Sequence, residues 1–241
     1  MMRVADLFAD QPLQGEAVDS VVGLCRDGRR VVPGMAFVAA GGDVAANRRQ
    51  AEAAGAVMIV AESGDGRVPT LRTPHARFSA AQASARAHGL HTSAIPLIAA
   101  TGTKGKSTTV WAAWWALGTG AARVGTVGWH DGTGERPSTQ TTPPPEELHA
   151  FLAGLSTTCP GLALEASSHA GDQHRLAGLT FQVLVATGIE RDHLDYHGSM
   201  ARYVAAKLEL VHQLRPGGTI IVNADDLRAA AFIHAGRCAR A

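Results

Sequence analysis

The residue run Thr101–Thr109 holds glycine, lysine and hydroxyl side chains in an order that suits phosphate binding. It follows the apolar run Ile95–Ala100 and opens a helical pattern, so a strand is predicted to turn into a helix here. In that setting the backbone N–H groups of the turn and the positive end of the helix dipole converge on an anion. Gly102 and Gly105 would let the backbone approach phosphate oxygens closely.

Two side chains of this run have the chemistry of a nucleoside triphosphate site. Lys106 can reach the β- and γ-phosphates, and the Ser107 hydroxyl can ligate Mg²⁺. Ala100 stands where the general phosphate-loop pattern has its first glycine, which indicates a subtype of that loop. The residues predicted to bind ATP in this loop are Gly102, Thr103, Lys104, Gly105, Lys106, Ser107 and Thr108.

A second polar group, Glu165–His169, follows the apolar run Gly161–Leu164 at a predicted strand end. A carboxylate in the same sheet as a phosphate loop is suited to Mg²⁺, which takes oxygen ligands together with phosphates. A solvated strand end is the alternative for Glu165. Arg175 follows shortly, and its planar fork could grip a phosphate or a carboxylate, although most arginines are surface charges.

A third group, Arg191–His197, combines two carboxylates, two histidines and an arginine just after the apolar run Phe181–Val185. His193 is a candidate metal ligand, and a solvated loop is the alternative. Lys207 lies on a predicted helix with Tyr203 one turn before it, and by itself it has the pattern of a surface lysine.

Two more features belong to predicted helices, one just before a helix and one within a helix. Thr141 and Thr142 lie before a helix whose first turns carry acidic residues, so their hydroxyls could bind phosphate or cap that helix. Trp111, Trp114 and Trp115 are spaced i, i+3, i+4, which favours a core-facing stripe over a base-stacking platform.

The elements that must position these residues alternate between strand and helix, which predicts an α/β fold with a mostly parallel sheet. Such sheets bind ligands at the carboxyl ends of their strands. We predict a small N-terminal α/β domain over residues 1–90, a linker at His88–Pro96, and a phosphate-loop domain over residues 95–241. The strands predicted in the second domain are Ile95–Ala100, Arg123–Gly128, Gly161–Ala166, Phe181–Thr187 and Thr219–Asn223, and its helices are Lys106–Leu117, Pro145–Ser156 and Ser199–Leu214.

Composition limits the class of protein. The 241 residues are 46% hydrophobic and 18% charged, which is typical of a globular chain. A net charge of +1 gives no argument for nucleic acid or an acidic membrane as a partner. No signal-peptide layout or membrane-length apolar run is present, and the three cysteines are widely spaced. These features predict a cytoplasmic location.

In this order, the motifs resemble those of the Mur ligase family, most closely its MurE type, and the resemblance covers nearly the whole chain. MurE-type enzymes are UDP-N-acetylmuramoyl-dipeptide ligases that add the third residue of the peptidoglycan stem. In the N-terminal part, Asp27–Arg29, Val32–Gly34 and Phe37–Ala39 resemble the family's uridine-binding domain. The segments that match in the second part are Thr101–Thr109 for TGTxGK(T/S)T, Gln140–Pro143 for Asn-Thr-Thr-Pro, Glu165–Arg175 for EVSSHA…QxR, Arg191–His197 for RDHLDYH, Tyr203–Lys207 for the helix of the carbamylated lysine, and Asn223–Asp226 for NADD.

The resemblance implies an ATP-dependent amide ligase of peptidoglycan precursor synthesis. ATP would phosphorylate a substrate carboxylate, and the amine of an incoming amino acid would then displace phosphate. It implies catalytic roles for Lys106, His193 and a carbamylated Lys207, with Asn223 and Asp226 near the nucleotide. One Mg²⁺ would be held by Ser107 and Glu165 and a second by His193 and Lys207. The implied ligands of the UDP-sugar diphosphate and the peptide are Thr141, Thr142, Ser167, Gln173 and Arg175.

Three departures from the family pattern leave other hypotheses open. Gly28 replaces the family's serine, and Asp43-Val44-Ala45 replaces its Asp-Gly-His, both in the region that resembles the uridine site. No part of the chain matches the C-terminal domain, which in this family closes over ATP and binds the incoming amino acid. We therefore expect an incomplete central domain, and ATP binding with little ligation by this chain alone. The leading hypothesis is a fragment or truncated homologue of a MurE-like ligase. The alternatives are a ligase with a different acceptor, as in secondary metabolism, and a non-catalytic ATP-binding subunit whose partner supplies the missing domain.

Overall fold

The computed structural model describes residues 1–9, 11, 14–40, 43–64, 67–90 and 95–238. The chain divides into two compact units, Met1–His91 and Thr92–Ala241. Part of the predicted linker His88–Pro96, part of the loop after Ala40 and the last residues of the chain lie outside the described ranges.

The first unit is a mostly parallel sheet with helices on its faces. β4, β5, β6 and β7 pair in parallel, and β2 joins β7 in the antiparallel sense. Along β5, Ala36 and Val38 pack with α1 and α3, while Phe37 and Ala39 join the core on the opposite face, which includes Ala51 of α2. The elements are β1 (Met2–Arg3), α1 (Val4–Leu7), β2 (Gln14–Gly15), β3 (Ser20–Val21), β4 (Leu24–Cys25), a 3-10 helix (Gly28–Arg30), β5 (Ala36–Ala39), α2 (Val44–Ala53), β6 (Met58–Ala61), β7 (Thr70–Arg72) and α3 (Ala76–Ala87).

The second unit is built on a sheet whose described strands run in the order β11-β10-β9-β12-β8-β13-β14. Pairing is parallel from β9 to β14, and β10 and β11 add an antiparallel edge. The elements are β8 (Leu97–Thr101), α4 (Lys106–Leu117), β9 (Ala122–Gly125), β10 (Gly128–His130), β11 (Glu135–Arg136), α5 (Pro145–Ala153), β12 (Leu162–Glu165), α6 (Ser168–Asp172), β13 (Phe181–Ala186), α7 (Leu194–His197), α8 (Met200–Leu208), a 3-10 helix (Glu209–Gln213), β14 (Leu214–Val222) and α9 (Ala229–Cys238).

The predicted fold class, α/β with a mostly parallel sheet, is confirmed. Three predicted elements were wrong in extent. The strand predicted at Thr219–Asn223 already begins at Leu214 and ends at Val222. The strand predicted at Arg123–Gly128 is a hairpin, because Thr126 and Val127 form a turn and Gly125 pairs with Gly128. The helix predicted at Ser199–Leu214 is α-helical only to Leu208 and continues as the 3-10 helix.

The tryptophan stripe of α4 was also predicted wrongly. Trp115 is 76% exposed. The core face of α4 is formed by Val110, Ala113, Trp114 and Leu117, packed on Ala100 and Ala163 of the sheet. The prediction that one face of α4 packs on the sheet was correct. The buried face, however, is rotated about the helix axis from the predicted face, so that it includes Trp114 and leaves out Trp115.

Candidate functional site

Three neighbouring parallel strands end together beneath the predicted phosphate loop. β8 lies between β12 and β13, with Ala100 opposite Glu165 and Thr101 opposite Ala186. The chain after β8 passes through α4 to β9, which lies beyond β12, so the strand order reverses beside β8. Such a reversal opens a crevice at the carboxyl ends of the strands, where ligands bind.

The phosphate loop needs its glycines for backbone geometry and for close approach. Gly102 and Gly105 have φ angles of +144° and +82°, which side-chain-bearing residues rarely adopt. A Cβ on Gly102 would overlap the Thr187 hydroxyl just after β13 and lie 3.0 Å from Gly188 O. The backbone N–H of Thr103 donates to Gly188 O at 2.8 Å. The loop is therefore held against the end of β13.

Two lysines converge on one carbonyl of this loop. Lys106 Nζ donates to Gly102 O and Thr103 O, each at 2.9 Å, and Lys207 Nζ donates to Gly102 O at 2.8 Å. Burial lowers the pKa of Lys106, and the charges of Glu165 and Asp192 oppose that shift. Burial, and then the charge of Lys106, lower the pKa of Lys207 to about 7. Lys207 is only 1% exposed, so the surface-lysine alternative is wrong.

Glu165 is buried where β12 ends, so the solvated alternative is also wrong. One carboxylate oxygen, Oε1, accepts from the Thr126 N–H at 2.9 Å. The other, Oε2, lies 3.2 Å from the Thr126 hydroxyl. The negative charge of this buried group is near Lys106, which it stabilises in the charged form.

A cavity of about 300 Å³ opens beside the two lysines. Polar and charged groups dominate its wall, which suits a charged ligand. The lining residues are Gly102, Lys106, Gln140, Thr141, Thr142, Ser167, Ser168, His169, Arg175, His193, Tyr203 and Lys207.

His193 lies at the start of α7 with a left-handed backbone, φ +49°, which is uncommon for a residue other than glycine. Its ring packs on His169 and Tyr203, with ring centres 5.1 and 6.2 Å away. Burial, and secondarily the charge of His193, lower the pKa of His169. The segment Arg191–His197 is thus partly helical and packed, in contrast to a purely solvated loop.

Arg175 and Thr142 hold the rim of the cavity together. Arg175 Nη1 donates to Gln140 Oε1 and to Thr142 O, both at 2.6 Å, and its Nε donates to Gln173 Oε1 at 3.1 Å. Thr142 is buried, and its hydroxyl donates to Glu165 O at 2.6 Å while accepting from Ser167 N–H at 3.0 Å. In this structure both side chains therefore position the loop before α5, which carries Thr141.

A second cavity, of about 330 Å³, lies on the other side of the loop and is bordered by Lys104, Asn223 and Asp226. Asp226 Oδ2 accepts from Ile189 N–H at 2.8 Å, which ties the turn after β14 to the segment after β13. Lys104 pairs with Glu190 at 2.8 Å, and both side chains are exposed.

The first unit holds its own candidate groups. The Arg29 guanidinium and backbone N–H bind the Asp27 carboxylate and lower its pKa to about 2. A cavity of about 450 Å³ is bordered by Val44 and Ala45 together with Arg48, Arg49 and Arg67.

The side chains of Ser107 and Glu165 have the chemistry that Mg²⁺ requires of its ligands. A serine hydroxyl on the first turn of α4 and a buried carboxylate on the adjacent strand are hard oxygen donors, the kind that Mg²⁺ takes together with phosphates. A Cβ on Gly125 would overlap the Glu165 carboxylate, so the fold leaves a space that this group fills. Among the described residues, no cluster of three or more His, Cys, Asp or Glu side chains could by itself hold a metal ion.

Sequence reasoning missed several residues of this region. Thr126 contacts Glu165, Thr187 contacts the phosphate loop, and Ser168 lies 3.0 Å from Nε2 of buried His197. Thr187 follows an apolar run directly, the same signal that identified Glu165, whereas Arg123 interrupts the run before Thr126. Ser168 lies within the segment Glu165–His169, whose pattern predicts no role for it.

The fold and site define a class, the phosphate-loop α/β proteins that bind nucleotides where the strand order reverses. The family model of the Mur ligase middle domain matches residues 100–240, more than half of the chain. The chain therefore belongs to the Mur ligase family.

The chain is similar over nearly its whole length to curated proteins called UDP-N-acetylmuramoyl-L-alanyl-D-glutamate–2,6-diaminopimelate ligase. It is 35% identical to the one from Chlorobium phaeobacteroides, covering 95% of this chain and 48% of that protein. It is 37% identical to the one from Xylella fastidiosa, covering 97% and 49%. The chain thus spans about half the length of the curated relatives it matches.

Solved structures of ligases from this family have a similar fold over nearly the whole of this chain. A structure of a diaminopimelate ligase of the same name matches with a TM-score of 0.77 at 26% identity, covering 93% of this chain and 49% of that one. MurF from Acinetobacter baumannii matches with a TM-score of 0.61 at 19% identity, covering 98% and 52%, and shows likeness of fold alone. Among the described residues, no helix is long and apolar enough to cross a membrane.

Proposed function

We propose that this chain provides the ATP site and the acceptor-carboxylate site of an ATP-dependent amide ligase of peptidoglycan precursor synthesis. The observation that carries the proposal is the convergence of Lys106, Lys207 and Glu165 where β8 and β12 end. The buried amine of Lys207, the half-buried amine of Lys106 and the buried carboxylate of Glu165 suit a reaction between two negatively charged partners, because charge must be neutralised there.

The nucleotide would bind along the phosphate loop. The backbone N–H groups at the start of α4 and the ammonium of Lys106 would bind the β- and γ-phosphates, and Lys106 would have to leave its loop carbonyls to reach them. Asn223 and Asp226 would contact the nucleoside end, because they border the cavity on the opposite side of the loop. The remaining loop residues, Thr103, Lys104, Gly105 and Thr108, would shape the cradle.

Ser107 and Glu165 would hold one Mg²⁺, and His193 with a carbamylated Lys207 would hold a second. When bound, such an ion neutralises phosphate charge during phosphoryl transfer. The contacts within this chain place these side chains. Glu165 is held by a hydrogen bond from Thr126, and His193 and Lys207 line the same cavity.

Carbamylation of Lys207 is supported by its surroundings. Burial and the adjacent Lys106 keep the pKa of Lys207 near 7, so the amine is readily neutral. A neutral ε-amine can attack CO₂, forming an N–C bond and releasing a proton, and the product is a carbamate anion. That anion would lie near the ammonium of Lys106. The repulsion between two ammonium groups would then be replaced by an attraction between a carbamate and an ammonium.

The acceptor would enter the cavity from the rim that carries Thr141, with Ser167, Gln173 and Arg175 as its neighbours. We propose a UDP-N-acetylmuramoyl-dipeptide as acceptor, because the similar curated proteins carry that substrate in their names. The first unit would hold a uridine site near Asp27–Arg29, because Gly28 packs against α2, the helix that borders the arginine-lined cavity of this unit. The incoming amino acid would be bound by a C-terminal domain of the family's kind, which a partner could supply. The location would be the cytoplasm, where this nucleotide precursor would be available.

The reaction is therefore carboxylate activation. The acceptor carboxylate attacks the γ-phosphorus, the bond to ADP breaks, and an acyl phosphate forms. Lys106 holds the transferring phosphoryl group, while the rim residues orient the carboxylate for attack. An amine would then displace phosphate to give the amide.

A hydroxylamine trap tests the activation step. The full chain is incubated with MgATP, UDP-N-acetylmuramoyl-L-alanyl-D-glutamate and hydroxylamine, which converts an acyl phosphate into a stable hydroxamate. We expect ADP and hydroxamate with this acceptor, and little amide with diaminopimelate in place of hydroxylamine. If the chain binds ATP but forms hydroxamate only with another carboxylate, the acceptor is different, and failure to bind ATP would refute the proposal.

A further inference from the structure

The buried carboxylate of Glu165 lies in a seat formed by two residues of the neighbouring hairpin, Gly125 and Thr126. Gly125 ends β9, the strand that pairs with β12, and Thr126 begins the turn to β10. Glu165 belongs to β12, so the seat and the carboxylate are on adjacent strands at the same sheet edge. The seat therefore has a fixed position relative to the phosphate loop, which follows the other neighbour of β12.

Gly125 makes room for the carboxylate. A Cβ at this position would overlap Glu165 Oε1 and lie 2.9 Å from Cδ and 3.0 Å from Cγ. The atoms that it would strike belong to the end of the Glu165 side chain and not to the backbone. A methyl group at position 125 would therefore displace the carboxylate before it disturbed the sheet.

Thr126 fixes both oxygens of the carboxylate. Its backbone N–H binds Oε1 at 2.9 Å, and its hydroxyl lies 3.2 Å from Oε2. The same hydroxyl lies 2.9 Å from the hydroxyl of Thr141 on the rim. The Thr126 hydroxyl is the donor in both contacts, and because it has one proton it donates to Glu165 Oε2 or to Thr141 Oγ1 at any one time.

We propose that Gly125 and Thr126 are positioning residues that orient Glu165 for Mg²⁺ and link it, through Thr141, to the acceptor-binding rim. This inference rests on the proposed function, since it assigns Glu165 to the metal. A carboxylate whose rotamer is fixed in advance loses less freedom when it ligates a cation. Outer-shell partners of this kind change metal affinity when they are removed.

The link to Thr141 adds a second consequence. Thr141 Oγ1 accepts from the Thr126 hydroxyl, whose single proton also serves Glu165 Oε2. A ligand that donates to Thr141 Oγ1 would replace Thr126 as its donor, and the Thr126 proton would then be directed at Glu165 alone. The seat thus serves the metal and the acceptor with one chain of hydroxyls.

The Mg²⁺ dependence of ATP binding by the full chain tests this proposal. ATP affinity is measured by calorimetry over a series of Mg²⁺ concentrations for the wild type, Thr126→Val, Thr126→Ser and Gly125→Ala. Thr126→Val keeps the shape and the backbone N–H but removes the hydroxyl. We expect Thr126→Val and Gly125→Ala to raise the Mg²⁺ concentration for half-maximal binding about tenfold, and Thr126→Ser to restore it. ATP affinity in EDTA should be unchanged in every variant.

Thr158→Val is the matched control, because Thr158 lies before β12, at the opposite end of that strand, and bonds only with Ser156 in the described hydrogen bonds. If Thr126→Val and Gly125→Ala bind Mg²⁺ and ATP as the wild type does, the seat has no positioning role. An ATP affinity that is lowered equally with and without Mg²⁺ would indicate a merely structural effect and would also overturn the inference. If the wild type shows no Mg²⁺-linked ATP binding, the proposed function fails, and the inference fails with it.

Discussion

The burial of Lys207 is determined by residues that are distant from it in the sequence. Its position on a helix predicts an ordinary surface lysine, and only the motif around it indicated otherwise. The structure buries it and directs its ammonium at the carbonyl that Lys106 also contacts. Burial of this kind depends on α6 and the phosphate loop, which are distant in sequence, so local pattern alone could not reveal it.

The lowered pKa of Lys207 predicts a pH dependence of stability in CO₂-free buffer. Below about 7 the folded and unfolded chains both hold the proton, and above 10.5 both have lost it. Between these values the unfolded chain binds the proton that the folded chain has released, so the free energy of unfolding rises with pH. Lys207→Met removes this group and should flatten the rise.

Urea unfolding followed by tryptophan fluorescence measures the effect, because all four tryptophans lie in the second unit. Exposed Lys104→Met is the control and should retain the wild-type slope. The same rise of stability with pH in Lys207→Met as in the wild type would contradict the assignment of the pKa shift to Lys207.

At the scale of elements, the sequence predicted which strands and helices exist better than how they contact one another. The helix after the phosphate loop, Lys106–Leu117, was predicted to the residue, because Gly105 and Gly118 mark both ends of α4. The sequence did not predict the hairpin at Thr126. Its two glycines, Gly125 and Gly128, are paired strand residues and do not lie in the turn, so they do not mark where the turn is. Because the hairpin was not predicted, the seat that it forms for Glu165 was not predicted either.

The contact between α6 and α8 makes a prediction at this scale. A Cβ on Gly171 would overlap Ala206 O and lie 2.8 Å from Ala206 C, both backbone atoms of α8. Gly171→Ala should therefore push α6 away from the helix of Lys207 and lower the free energy of unfolding by about 1–3 kcal/mol.

Gly154→Ala is the matched control, because Gly154 has a right-handed helical backbone and an added Cβ would lie 3.5 and 3.6 Å from the nearest carbonyl oxygens, which is ordinary contact. It should unfold within about 0.5 kcal/mol of the wild type. Equal stability of the two variants would mean that α6 can move without loss.

At the scale of the whole molecule, the alternation of elements predicted a small α/β unit followed by a phosphate-loop unit. The structure has two compact units, Met1–His91 and Thr92–Ala241, and the family model matches the second. The assignment of the first unit to uridine stays a prediction. Its loop chemistry departs from the family at Gly28 and Val44-Ala45, and side-chain substitutions of this kind change a ligand without changing a fold.

The most direct test of the central claim is MgATP binding by the full chain, measured by calorimetry for Lys106→Ala and Lys104→Ala beside the wild type. The two lysines are neighbours in the loop, but Lys106 is half-buried and faces the proposed phosphates, whereas Lys104 is exposed and paired with Glu190. We predict that Lys106→Ala weakens MgATP binding at least tenfold, as expected for loss of a charged hydrogen bond worth about 1.5–3 kcal/mol. Lys104→Ala should stay within about threefold of the wild type, since an exposed ion pair contributes little. Equal affinity of Lys106→Ala and the wild type would contradict an ATP site in this loop.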